Sequence, residues 1–184
     1  MIFRKFLETA PEFSNLTPKD IEDFEHIMRV NEYPDEYEFF KQGSTSHDVY
    51  LILSGEVSVK HNKEIERGSV EVKRLKPGEM FGLLSAITDT KHEATCQAVG
   101  PVTLASMPRQ AFQLLYNSNS PLALHFQQYV TFQLAKDYSA LIGLLRNVLF
   151  AKNEDEILTA FNSINDQSNS NKAKVINERQ QPVH

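Results

Sequence analysis

The feature that most constrains this chain is a series of short β-prone segments punctuated by glycine. Between Asn31 and Pro108 the segments Tyr37–Phe40, Val49–Leu53, Val57–Val59, Val70–Leu75, Ala94–Ala98 and Val102–Met107 alternate with turn residues. Gly43, Gly55, Gly68, Gly78 and Gly100 stand between or beside them. Branched and aromatic side chains suit a pleated, half-buried surface, and glycine permits the reversals that join such strands. The rhythm predicts an eight-stranded or similar antiparallel roll over about residues 31–108, closed on itself so that few strand edges meet water. Within it, Pro77-Gly78-Glu79 reads as a turn, and Met80 to Ile87 is rich in helix formers. One helical turn is therefore expected to interrupt the roll.

Helical signals flank this region. Thr17-Pro18-Lys19-Asp20 supplies a capping hydroxyl, a proline at the first helical position and a carboxylate at the third, ahead of Ile21, Phe24, Ile27 and Met28 at helical spacing. A helix is expected from about residue 18 to 30. After Pro108, Ala111, Phe112, Leu114 and Leu115 restore the helical period, and Ser120-Pro121 starts a long helix reaching about Phe150. The expected class is mainly β with flanking helices, a double-stranded β-helix or jelly roll within one domain over residues 1–150. Residues 151–184 are expected to hold a short helix at 154–161, then a polar tail too poor in large apolar residues to offset its chain entropy.

In the long helix Leu134, Tyr138, Leu141, Leu145 and Val148 recur at the four-three spacing of a coiled-coil seam. This predicts a homodimer; the competing reading lays the helix against its own roll.

Bulk properties narrow the function. A net charge of −5 over 184 residues gives no footprint for nucleic acid. The single Cys96 has no internal disulfide partner, which suits a reducing, cytoplasmic setting and a small buried strand residue. Arg4 and Lys5 break the opening apolar stretch before it becomes a signal core, and Ala140–Ala151 is too short for a bilayer span. Catalysis lacks visible machinery. No His-x-His pair, Gly-x-Ser-x-Gly elbow or phosphate-binding P-loop occurs, and His26, His47, His61 and His125 read as surface or packing residues, so neither an enzyme nor a metal site is expected.

The order of elements and several motifs resemble the cyclic nucleotide-binding domain of catabolite-activator-type regulators, kinase regulatory subunits and gated channels. Phe13-Ser14-Asn15-Leu16-Thr17 is similar to the family's opening and Lys41-Gln42-Gly43 to its first tight turn. Asp48 to Val57 resembles its most recognisable strand pair, and Leu75-Lys76-Pro77-Gly78-Glu79-Met80-Phe81-Gly82 the lead-in to its phosphate-binding cassette. The resemblance spans about residues 6–150 and implies the jelly-roll fold.

It also implies a site. In the family, a glycine lets backbone N–H groups approach the cyclic phosphate, a glutamate takes the ribose hydroxyl, and an arginine about nine residues later neutralises the phosphate. Aligned without gaps, the glycine is Gly82, followed by Leu83, Leu84 and Ser85, and Leu83 stands where the glutamate belongs. His92 replaces the arginine and Glu93 the small residue after it, while Ala94 and Thr95 resume the pattern. The expectation is a regulatory or interaction domain with weak or lost cyclic-nucleotide binding, acting through dimerisation and a protein partner, without direct nucleic-acid or membrane binding. The alternative is a sensor that holds a cyclic nucleotide or another small ligand in a modified pocket. The transcription factors' helix-turn-helix output has no visible counterpart after Phe150.

Overall fold

The computed structural model describes residues 2–45, 48–62 and 68–150. The elements run α1 (Ile2–Thr9), a 3₁₀ turn (Pro11–Phe13), α2 (Pro18–Ile27), β1 (Arg29–Tyr33), β2 (Glu38–Phe40), β3 (Asp48–Asn62) and β4 (Ser69–Leu75). They continue with β5 (Met80–Phe81), α3 (Leu83–Thr88), β6 (Thr95–Pro108), α4 (Arg109–Tyr116) and α5 (Pro121–Phe150). Phe3 and Leu7, four residues apart, bury the inner face of α1.

The antiparallel sheet has the order β1-β6-β3-β4, with β2 paired to β6 and β5 to β3. Six strands stand among the described residues: two pairs of the six expected segments are continuous, while β1 and the short β5, at Met80–Phe81 where helix was expected to begin, add two. Val49–Leu53 and Val57–Val59 fuse into β3, and Ala94–Ala98 and Val102–Met107 into β6. Gly55 bends its strand instead of ending it. It takes φ 83° where the β3–β6 register shifts, and a Cβ there would sit 2.5 Å from the Pro101 carbonyl oxygen. The bent strands change partners along their length, so that β6 meets β1 through Val102–Ser106 and β2 near Cys96. That exchange rolls the sheet.

Side chains of β3 alternate between two cores, as the strand period requires. Val49, Leu51 and Leu53 join Ala105 and Met107 in a cluster built with α1, α2, α4 and the first half of α5. Tyr50, Ile52 and Val57 join Phe39, Phe40, Phe81, Cys96, Val102 and Leu104 in the second cluster, inside the roll. With both faces covered, the run Val49–Leu53 is apolar throughout. Cys96 is buried, and desolvation pushes its thiol up to about 12.

α2 ends at Ile27 rather than near residue 30 because Arg29 is already paired with Ser106. Its N-terminus carries the expected capping box. The Asp20 N–H donates to Thr17 Oγ1 at 3.2 Å, and the Thr17 N–H donates to the Asp20 carboxylate at 2.9 Å. α5 supplies a further contact, with His125 Nδ1 3.3 Å from Asp20 Oδ2.

The chain divides into two compact units, Met1–Leu134 and Ala135–His184. The first holds the sheet and both cores. The described part of the second is the remainder of α5, where Tyr138, Leu141, Leu144 and Leu145 are exposed. Leu134, expected in the same stripe, is partly buried against the first unit's core. The side chain of Val148 and everything expected of residues 151–184, including the helix at 154–161, lie outside the described residues, as does His47.

Burial of Asp20 opposes its charge, but the Thr17 hydrogen bonds and His125 outweigh that and hold the carboxyl below its ordinary 3.8. A lowered carboxyl stabilises the fold above the unfolded-state value, and the contribution fades as pH falls through the folded one. Asp20→Ala should therefore cost about 1–2 kcal/mol at neutral pH and distinctly less near pH 3. Urea denaturation at both pH values measures the gap; a gap that widens on acidification contradicts the assignment.

Candidate functional site

The expected cassette is assembled at the junction of β5, α3 and the start of β6. Pro77-Gly78-Glu79 turns the chain: the Gly78 N–H donates to Ile52 O at 2.9 Å and the Ile52 N–H to Glu79 O at 3.1 Å. The Glu79 carboxylate accepts the Lys76 N–H at 2.8 Å, fixing the turn from within. Gly82 then adopts φ 81°, a left-handed conformation that glycine takes without steric cost. An added Cβ would lie 2.6 Å from Asp48 O, so β3 leaves no room for a side chain there. The glycine is thus required by the scaffold, with or without a ligand.

The residues after Gly82 are spent on packing. Leu83, expected in place of the ribose-binding glutamate, is buried in the helix-side cluster with Met80 and Ala86. Leu84 is about half exposed at 49%. Ser85 turns back: its hydroxyl donates to Gly82 O at 3.1 Å and lies 3.1 Å from His92 Nδ1.

His92 is the centre of the site. It is 5% exposed, and its imidazole lies flat on the Phe40 ring, with centroids 3.6 Å apart and planes within 7°. Phe40 belongs to an aromatic group inside the roll with Phe39, Tyr50 and Phe81, in which Tyr50 and Phe81 also stack, at 4.8 Å. Phe39 and Phe40 are adjacent yet both buried there. A bulge places Glu38 opposite Gln97 but Phe40 opposite Cys96. The His92 backbone is clamped to the first tight turn, donating its N–H to Ser44 O at 3.0 Å and accepting the Gly43 N–H at 2.7 Å. Thr95 adds to the clamp, its hydroxyl accepting the Gln42 N–H at 3.0 Å.

Glu93 is exposed, and Ala94 is half-buried just before β6. The structure therefore brings Gly82, Ser85, His92 and Thr95 into one neighbourhood, while Leu83 faces the other core and Leu84 and Glu93 face solvent. The site has no permanent cation in the arginine's place. Its nearest analogue is an imidazole already engaged on one face by Phe40 and at Nδ1 by Ser85.

Two participants escaped the sequence reading. Phe40 looked like any strand aromatic, since nothing local signals the bulge that turns it inward. Arg109, following Pro108, pairs with Asp89 and donates from Nε to Ala86 O at 3.3 Å, joining α4 to the C-terminal end of α3. Asp89 caps that end in the left-handed conformation, φ 59°. Among the described residues no cluster of histidine, cysteine or carboxylate is arranged to hold a metal ion, and no helix is long and apolar enough to cross a membrane.

Residues 30–119 match the model of the cyclic nucleotide-binding domain. The chain is 28% identical over 114 residues to a cAMP-dependent protein kinase regulatory subunit of Colletotrichum orbiculare, covering 62% of this chain and 28% of that protein. The matches span 23–30% of the length of five such regulatory subunits. The fold is similar to that of the Thermus thermophilus catabolite activator protein, with TM-score 0.60 and 23% identity over 74% of this chain and 63% of that one. A cyclic nucleotide-binding domain from Methylobacillus flagellatus gives TM-score 0.62 at 19% identity, covering 77% and 82% respectively. The rolled sheet with flanking helices is accordingly their jelly-roll architecture.

Gly82→Ala should cost about 2 kcal/mol or more, because both the positive φ and the 2.6 Å approach to Asp48 O oppose a side chain. Chemical denaturation reads the loss directly. An unchanged midpoint would mean that the β5–α3 corner can relax.

Proposed function

Since the chain belongs to the cyclic nucleotide-binding domain family, we propose that it is a regulatory module whose cassette has been converted from a ligand site into a packed corner. Its output is then carried by dimerisation and a protein partner. The observation that carries this reading is the Phe40–His92 stack. A cyclic phosphate entering at Gly82 would meet an imidazole already packed in the aromatic core, where the family supplies a guanidinium.

Magnitudes favour loss of binding. Removing one partner of a buried charge pair typically costs about 2–5 kcal/mol, roughly 30- to 4,000-fold in affinity. Freeing His92 to face a ligand would add the loss of its stacking on Phe40, on the order of 1 kcal/mol. Leu83 cannot accept from a ribose hydroxyl, and its burial leaves it committed elsewhere. Glu93, being exposed, is not required to repel a phosphate for this account to hold.

Dimerisation is supported by the second half of α5. Tyr138, Leu141 and Leu145 keep the four-three spacing and are 66%, 52% and 46% exposed, an unusual apolar display for a helix surface. A second copy of the same helix would cover it. The relatives named above are regulatory subunits and a transcriptional activator rather than enzymes, and a non-catalytic role fits the absence of a nucleophile or metal constellation from the sequence. The negative net charge argues against direct contact with nucleic acid.

Calorimetric titration with cyclic AMP and cyclic GMP should show no binding tighter than roughly 100 μM. Low-micromolar binding of either would overturn the packed-corner reading.

The dimer is tested separately. Leu141→Glu with Leu145→Glu should convert a homodimer into a folded monomer in sedimentation velocity at micromolar concentration. A sedimentation coefficient that the pair of changes leaves unaltered would assign these residues another role.

A further inference from the structure

The first unit contains a cleft separate from the cassette, with a volume of about 250 Å³, bordered by the 3₁₀ turn, α2 and the first half of α5. Its walls are two aromatic pairs. Phe13 and Tyr129 lie with centroids 4.6 Å apart, and Phe24 and Phe126 meet edge to face at 5.7 Å. These walls are held from behind. Phe24 and Phe126 are buried in the helix-side core, and the Tyr129 hydroxyl donates to Gly78 O in the β-roll. A cleft with fixed walls spares a ligand the cost of ordering them.

One wall is polar. His125 lines the cleft, with its buried Nδ1 turned toward Asp20 Oδ2 at 3.3 Å. The same Asp20 oxygen accepts the N–H and hydroxyl of Thr17. His125 borders the cleft together with Asn15 and Gln128, so polar side chains meet the aromatic walls there.

We propose that this cleft binds an uncharged, one-ring or fused-ring aromatic molecule bearing a hydroxyl or N–H group that reaches the His125 wall. Size sets the class: a dry cavity of roughly 150 Å³ accommodates benzene, so the present volume admits an aromatic ring with a substituent or a fused second ring. The walls offer ring faces and edges for stacking. The lining holds no lysine or arginine to pair with a carboxylate or phosphate removed from water, and the Asp20 carboxylate beside His125 opposes a second negative charge, which disfavours charged aromatics.

The chain contains no tryptophan, so the fluorescence of added indole, excited beyond the tyrosine band, reports its binding to the full chain without background. Indole should bind saturably with Kd on the order of 10⁻⁴ M, as expected of a ligand with so few atoms. Phenol should displace it, whereas indole-3-acetate should not. Two changes at exposed lining positions spare the core: Phe132→Ala should weaken indole binding at least about fivefold by removing one ring face, and Asn15→Tyr should abolish it by covering the mouth. A response that stays linear to about 10 mM indole overturns the proposal. So does indole binding that both variants leave unchanged, or displacement by indole-3-acetate as effective as by phenol.

Discussion

Everything in the first unit hangs on the pairing of β3 with β6. These two strands meet from Asp48↔Pro108 to Lys60↔Thr95, and every other strand is hydrogen-bonded to one of them. Their side chains alternate into two cores, so one ladder organises both the helical layer and the roll interior. The bend at Gly55 allows a single ladder to serve both ends of the roll, because a straight strand of that length would carry its partners away from each other. Shifting the register by one residue would exchange the two cores, placing Val49 and Leu51 where Tyr50 and Ile52 now pack.

The cassette inherits its position from that ladder. Asp48 leaves room only for a glycine at position 82, and the Gly43–Ser44 turn fixes the backbone of His92. The residues that shape the cassette are therefore those the scaffold needs for its own packing. The positions that the resemblance assigns to nucleotide contact, 83, 92 and 93, are the ones that depart from its pattern. The bulge in β2 holds Phe40 within stacking distance of the planar imidazole at position 92, and stacking two rings in a dry interior is favourable where placing an unpaired cation is not. A ligand site and a packed corner can share one backbone.

Much of this was legible in the sequence, and what was not has identifiable causes. The Thr17-Pro18-x-Asp20 signature gave the start of α2, and Ser120-Pro121 that of α5, because caps are local chemistry. The end of α2 has no local signal, because the pairing of Arg29 with Ser106 that stops it is a contact across 77 residues. Reading Gly55 and Gly100 as strand ends divided β3 and β6 in two; a glycine with positive φ serves a bulge as readily as a turn. At the cassette, alignment identified the positions of Leu83, His92 and Glu93 but not where their side chains go. That depends on the bulge at β2 and on which core each neighbour fills, neither of which has a local signature.

The central claim, that His92 is stacked on Phe40 inside the roll, is tested most directly by the ring-proton NMR shifts of His92. A ring held 3.6 Å above a phenyl face experiences its ring current, so the His92 carbon-bound protons should resonate well upfield of those of a free imidazole and return toward that position in Phe40→Leu. Resonances at ordinary histidine positions that Phe40→Leu leaves unmoved would place His92 elsewhere and reopen the cassette as a ligand site.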